Sequence, residues 1–244
     1  MHPQVSLNSS KKNKMNDQQQ REFTHVFASI SSKSLANALA NNQFTKRLYR
    51  TQNVTVMVVN LFYTNSSLLN VRGFGYLLPQ SLPLDQNPEL ALGVIFDSYA
   101  TPGQDDVQGT KITVMLGGHW WDGRDDHPDE MQGARMAKAV LKRHLAIGED
   151  PRVVKVTLQK DCIPQYHVGH HQRMIDISND LDRNFKGRLR VVGSSYTGVG
   201  VNDCIRAAKN LVRNFHNGTG QTGLERFGAK EEWTWMMPQL TRIE

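Results

Sequence analysis

The sequence predicts an α/β (α+β) chain in two parts: a mixed sheet backed by a helix, and a shorter strand, glycine turn and helix. Three observations predict it. Val54 to Tyr63 is a nearly continuous apolar, β-branched run, too long for a loop. Ala134, Ala137, Leu141 and Leu145 recur at three- and four-residue intervals inside 129–145, the period of a helix with one buried face. The stretch from Gly187 to Phe215 passes from β-branched residues through Gly193, Gly198 and Gly200 into a second helical period. At 244 residues the chain can bury one substantial core or two modest ones, which accommodates both parts.

Residues 1–22 are Asn, Gln, Ser and Lys with almost no apolar content, and are expected to be disordered. Thr24 to Ile30 reads as a short strand, and Ser34 to Ala40 as a helix with Leu35, Ala38 and Leu39 on one face. The Val54–Tyr63 run, apolar at almost every position, is expected to be buried on both faces. Gly73 to Leu78, Leu92 to Ser98 and Lys111 to Leu116 are predicted strands. Turns at Pro79, Pro88 and Pro102-Gly103 separate them, as in an antiparallel sheet. In the last of these Ile112, Val114 and Leu116 share one face, and Thr113 and Met115 the other.

Pro128 opens the 129–145 helix with Asp129 and Glu130 in its first turn, and Gly148 is expected to end it. Val154, Val156 and Leu158 alternate with Lys155, Thr157 and Gln159, predicting a half-buried strand. A short helix is expected from His167 to Leu181, followed by a strand over Arg188 to Val192. After the glycine turn, Asn202 or Asp203 stands where an N-cap belongs, and Ile205, Ala208, Leu211, Val212 and Phe215 make an apolar helix face. The tail 218–244 carries Trp233, Trp235, Met236 and Met237 without a clear period.

Composition narrows the partners. Hydrophobic residues are 39% of the chain and no run approaches the ~20 apolar residues of a spanning helix, so any membrane contact is expected to be peripheral or through other parts. The net charge of +6 comes mostly from dispersed Lys and Arg. Lys11, Lys12 and Lys14 cluster without an interleaved aromatic, which favours a solvated tail over nucleic-acid binding. Cys162 and Cys204 show no CxxC spacing and suit free thiols in a reducing compartment. Neither a signal-peptide core nor an Arg-rich amphipathic leader is visible at the start.

The chemistry concentrates at the glycine turn. A strand, a turn and a helix start present unpaired backbone N–H groups to whatever lies at the turn and favour negative charge there; an ordinary strand-to-helix connection is the competing reading. GTGQTG at 218–223 formally matches the dinucleotide fingerprint G-x-G-x-x-G, but it follows a helix and leaves too few residues for a βαβ unit of ~30 residues. His167, His170 and His171 near Cys162 are of zinc-ligand type, yet no second cysteine or carboxylate stands at a ligand-like interval, and no metal site is expected. No Ser–His–Asp order, carboxylate pair or P-loop stands out.

GSSYTGVGVNDCI at 193–205 resembles the flavin-contacting segment of oxygen-dependent protoporphyrinogen oxidases, flavoenzymes of haem synthesis in the superfamily of the monoamine oxidases. VRGFGYLLPQS (71–81), LGVIFDSYA (92–100), TKITVMLGGHW (110–120) and CIPQYHVGH (162–170) agree with that family in the same order, so the resemblance covers about residues 23–215. It implies the C-terminal part of a two-domain flavoprotein. Residues 23–45 would be a strand and crossover helix of a Rossmann-like FAD domain, 46–150 the substrate-domain sheet and helix, 151–217 the return to the FAD domain with its last strand and helix, and 218–244 an extension.

The family's dinucleotide fingerprint lies in a further N-terminal half. FAD is the implied cofactor, and protoporphyrinogen IX and oxygen are the implied substrates. The resemblance also leaves room for a homodimer of the complete enzyme and implies the mitochondrial inner membrane as its location. Position by position, Val199, Gly200, Val201 and Asn202 fall on the flavin, with the start of the helix aimed at its pyrimidine ring. His171 falls where a cofactor-contacting side chain, often aromatic, is found. Phe74, Leu77 and Met115 match positions that pack against the tetrapyrrole, and Gly73 and Gly75 permit the bend that would turn Phe74 and Leu77 inward together. Two alternatives stand beside this reading. One is a non-catalytic fragment needing an N-terminal partner. The other is a related amine-oxidising flavoenzyme, which would normally surround the flavin with aromatic residues where this chain has His170 and His171.

Overall fold

The computed structural model describes residues 23–39, 43–104 and 106–228. The 1–22 segment with its Lys11, Lys12 and Lys14 cluster, and Trp233, Trp235, Met236 and Met237, lie outside the described residues. In chain order the elements are β1 (Val26–Ala28), α1 (Ser32–Ala38), α2 (Gln43–Tyr49), β2 (Asn53–Tyr63), β3 (Gly75–Leu77), β4 (Ala91–Ile95) and α3 (Asp97–Ala100). They continue with β5 (Thr110–Gly117), α4 (Glu130–Leu145), β6 (Val153–Pro164), α5 (His170–Phe185), β7 (Leu189–Val191) and α6 (Val201–His216). The chain divides into two units: Asn53–Pro164, and the residues before and after it.

The Asn53–Pro164 unit is a five-stranded antiparallel sheet in the order β3-β4-β5-β2-β6. One face carries Met57, Val59, Leu61 and Tyr63 of β2 with Ile112, Val114 and Leu116 of β5, and buries them against Ala137, Val140 and Leu141 of α4. That helix starts on a capping box: the Asp129 carboxylate accepts from the Gln132 backbone N–H at 2.7 Å, and the Gln132 side chain accepts from the Asp129 N–H at 2.8 Å. It ends at Ala146, in left-handed conformation at φ 56°, two residues before the predicted stop at Gly148. At Gly133 the helix lies so close to the sheet that an added Cβ would fall 2.2 Å from Met57 Sδ.

Two expectations change here. β2 is covered on one face only: Asn60 is exposed and Val58 half-buried, because α4 packs on one face of the sheet while the short α3, on the other, lies mainly against β5. The predicted return to the first unit after residue 150 comes instead after Pro164, since β6 pairs with β2 along its whole length, from Val153 opposite Phe62 to Pro164 opposite Asn53.

The other unit is built around a parallel pair of three-residue strands, with Val26 opposite Leu189 and Ala28 opposite Val191. Leu35, Phe44, Leu48, Met174, Ile177, Leu181, Leu189 and Tyr196 form its core. Both parallel and antiparallel pairing therefore occur in this α/β (α+β) chain, each in its own sheet. α5 begins at His170 and reaches Phe185, further than the predicted end at Leu181. The predicted apolar face of α6 exists but is not buried within the unit. Leu211 is its one buried residue, while Ile205 and Val212 are 60% and 61% exposed.

Candidate functional site

Residues 193–200 run from the end of β7 to α6 as a loop pinned at its start and open at its end. Tyr196 is fully buried, and its amide N–H donates to the Gly193 carbonyl at 3.1 Å. The neighbouring Ser195 Oγ accepts from the Ser32 N–H at 3.1 Å, supplying a partner for the start of α1 across 163 residues of sequence. From Gly198 on, the side chains turn outward: Val199, Gly200, Val201 and Asn202 are all exposed. Gly200, not Asn202 or Asp203, is the N-cap of α6, with φ −71° and ψ 147° and no side-chain cap. The helix begins two residues earlier than predicted because the chain already turns helical at Val201, so its first N–H groups stay uncapped by any side chain of Gly200. Asp203 sits in the first turn, with its carboxylate against Gly198 and Gly200 and Oδ1 on Arg206 at 3.0 Å, so it offsets part of the positive helix end.

The segment before α5 docks on the pinned half of this loop. Tyr166 donates its hydroxyl hydrogen to the Ser194 carbonyl and stacks on His170, ring centroids 3.9 Å apart. His170 Nε2 donates to the Tyr196 carbonyl at 2.9 Å, and its Nδ1 accepts from Arg173 at 3.0 Å. A carbonyl on one nitrogen and a guanidinium on the other require the neutral ring. Burial holds its pKa below the ordinary histidine range, and the charges of Arg173 and His171 act the same way, against the pull of the Tyr196 bond. His171, the residue singled out from sequence, is exposed, with its ring edge on Phe227 at 5.3 Å. The structure does not bring it onto the loop; His170 and Tyr166 take that place. Tyr166 precedes α5 and lies outside it, so no helical spacing in the sequence announces its stack on His170. With both His170 nitrogens committed, the imidazole has no lone pair for a metal. No group of three or more His, Cys, Asp or Glu able to hold a metal occurs among the described residues.

The glycine pattern at 218–223 also resolves into chemistry. Its backbone forms a concave row of N–H donors, and the anion they hold is the chain's own Glu225. Oε1 accepts from Gln221 N at 2.7 Å, Thr222 N at 2.6 Å and Gly223 N at 3.1 Å, and from Thr222 Oγ1 at 3.0 Å. Burial raises this carboxyl's pKa, but those hydrogen bonds outweigh it and leave the group below the usual carboxylate range. The nest is a loop staple, with no vacancy for a pyrophosphate.

In the sheet unit, register assembles what sequence could not. Leu77 lies opposite Gly93, Gly93 opposite Met115, Met115 opposite Val58 and Val58 opposite Thr157, one row on the face away from α4. The next row on that face is Gly75, Ile95, Thr113, Asn60 and Lys155. Leu77 is 78% exposed and Met115 half-buried. Gly93 between them is buried beneath the Leu77 side chain; a Cβ there would strike the Tyr76 carbonyl at 2.6 Å and Leu77 Cδ2 at 2.9 Å. In a regular strand Phe74 would join Tyr76 on the buried face, yet it is 70% exposed, because Gly75 at φ 142° breaks the pleat between them. The predicted bend is present, and Phe74 and Leu77 both stand out of the core.

A protoporphyrinogen oxidase of Schizosaccharomyces pombe is 31% identical to this chain over 215 residues, 86% of the chain and 41% of the yeast protein. Over most of its length the chain is a protoporphyrinogen oxidase homologue. The human protoporphyrinogen oxidase is 35% identical over 198 residues, covering 78% of the chain and 40% of the human sequence. A shorter match, 38% over 72 residues, joins it to coproporphyrinogen III oxidase of Bacillus subtilis. The chain thus spans about two fifths of the curated protoporphyrinogen oxidases it matches. No protein-family model matches it. Among solved structures, a candidate protoporphyrinogen oxidase from Exiguobacterium sp. 255-15 superposes with TM-score 0.64 at 17% identity, over 80% of this chain and 41% of that one. Cyclohexylamine oxidase from Brevibacterium oxydans superposes with TM-score 0.55 at 14% identity, over 83% of this chain and 45% of its own. Both share the fold.

Proposed function

We propose that this chain supplies part of an FAD-dependent protoporphyrinogen oxidase, with the 193–202 loop on the flavin and the uncovered sheet face on the tetrapyrrole. The supporting observation is the Leu77–Gly93–Met115–Val58 row: apolar side chains on the sheet face away from α4, with Leu77 exposed over the buried Gly93 and Met115 and Val58 half-buried. A large, mostly apolar macrocycle matches that surface, and methionine adapts well to an aromatic or pyrrolic face. On the flavin side, Gly200 offers its backbone without a side chain. Beyond the Asp203 carboxylate nothing lies within 4 Å of where a Cβ would stand, so a ring can approach the main chain there.

FAD, held in part by the 193–202 loop, would supply the hydride-accepting chemistry of the reaction, with oxygen as the final acceptor. This chain's residues have the remaining work. The uncapped N–H groups at the start of α6 place partial positive charge beside Gly200, where negative charge on a flavin pyrimidine would be favoured. Leu77, Met115 and Val58 would exclude water from one face of the macrocycle. His170 and Tyr166 hold the 193–197 backbone and touch neither group directly.

Unit composition favours the reading in which the chain needs a complement. Among the described residues the parallel sheet has two strands of three residues, and the apolar Ile205 and Val212 of α6 are exposed, which supports further strands and a covering surface from outside them. The mitochondrial inner membrane, carried by the resemblance, is the location we propose. No helix among the described residues is long and apolar enough to cross a membrane. The test is Met115→Lys in a complete enzyme carrying this segment. Tetrapyrrole turnover should fall with flavin content unchanged, because a buried ammonium would face an apolar ring; simultaneous loss of flavin would assign Met115 to the core instead.

A further inference from the structure

We propose that Lys155 anchors a carboxylate of the tetrapyrrole and so sets which edge of the macrocycle lies over β6; this rests on the substrate reading of the sheet face given above. Protoporphyrinogen IX carries its two propionate carboxylates on one edge, and an apolar row alone cannot orient it. Lys155 stands on the same uncovered face as the apolar row, two strands from Met115 and one pleat repeat along. By ordinary sheet spacings that is about 12 Å between backbones, within reach of a four-carbon side chain and a propionate arm. It is exposed, and no ion pair involves it among the described residues.

The polar row has a direction. Asn60 Nδ2 donates to Thr113 Oγ1 at 2.7 Å, and the Thr113 hydroxyl donates to Asp97 Oδ2 at 2.7 Å. The acidic group is therefore at the β4 end of the row, already holding a donor, and the ammonium of Lys155 is at the β6 end, three strands away. Between them lies a cavity of about 330 Å³, lined by Asn60, Phe62, Asp97, Lys111, Val153 and Lys155. An anionic edge is repelled from the Asp97 end and drawn to the Lys155 end. An uncharged ligand would gain nothing from this arrangement, and a cationic one would be drawn to the opposite, Asp97 end.

Binding of protoporphyrin IX and of its dimethyl ester to a complete enzyme carrying this chain, followed by porphyrin fluorescence in one neutral detergent, tests this. Lys155→Gln should weaken the dicarboxylate three- to fivefold, the scale of a solvent-exposed charge pair, and leave the ester unchanged. Leu77→Ser, at an exposed position where folding is not at stake, should weaken both probes equally. If Lys155→Gln affects both probes alike or neither, while Leu77→Ser weakens both, the anchor is wrong and the substrate face stands. If Leu77→Ser changes neither, or the unaltered enzyme binds neither probe, the substrate face falls and the anchor with it.

Discussion

Gly200 is the position at which a cofactor contact and an ordinary turn give different outcomes. Its φ of −71° and ψ of 147° are open to any residue, so no backbone strain follows from adding a side chain. A Cβ there meets Asp203 Oδ2 at 3.2 Å and Asp203 Cγ at 4.0 Å, and a small shift of that half-buried carboxylate relieves the first contact. What remains is the preference of an N-cap for glycine over alanine, about 0.5–1 kcal/mol. For a domain of this size that lowers Tm by about 1–4 °C. Gly198 is the control: its Cβ would fall 2.5 Å from Asp203 Cβ and 2.9 Å from Cγ, atoms that cannot swing away, so Gly198→Ala should cost about 1–3 kcal/mol of folding. In a complete enzyme carrying this segment, Gly200→Ala should lower the flavin-to-protein absorbance ratio with near-normal melting in the absence of added flavin. Gly200→Val should lower it further; each ~1.4 kcal/mol of lost contact is tenfold in affinity. An unchanged flavin ratio in Gly200→Val at normal Tm would refute the contact and return the loop to the ordinary-turn reading.

Three further outcomes are expected. Glu225 has a folded-state pKa below its unfolded value, so the stability it contributes is complete above the ordinary carboxylate range and disappears as pH falls through the lowered value. Glu225→Gln should therefore lower Tm near pH 7 and flatten its decline between about pH 5 and pH 3; parallel curves for the two proteins would count against the staple. Gly133→Ala places a Cβ 2.2 Å from Met57 Sδ and 3.2 Å from Val156 Cγ1, and should destabilise the sheet unit by about 1–3 kcal/mol in a urea titration, an expectation that an unchanged midpoint would end. The chain purified alone should retain little FAD, because its parallel pair of strands offers no glycine-rich turn free to hold a pyrophosphate; a yellow preparation with micromolar affinity would contradict this.

The sequence by itself determined the elements whose signal is local. The alternation of Ile112, Val114 and Leu116, the period of Ala137 and Leu141 and the glycine break after β7 follow from backbone geometry over a few residues, and each appears where its pattern stands. The bend at Gly75 was legible for the same reason, since only glycine takes that φ without strain. Local pattern could not say what covers a face. Val54 to Tyr63 reads as buried throughout, and the placement of one helix on one side made it half open. The apolar period of α6 is real and lies exposed, because burial depends on a neighbour that periodicity does not encode. His170 and His171 are adjacent in sequence and alike in chemistry. The 100° between successive helix positions turned one onto the Tyr196 carbonyl and the other onto Phe227. Leu77, Gly93, Met115, Val58 and Lys155 come from four loops' worth of separate sequence, and register between strands, set by pairing across up to a hundred residues, is what placed them on one face.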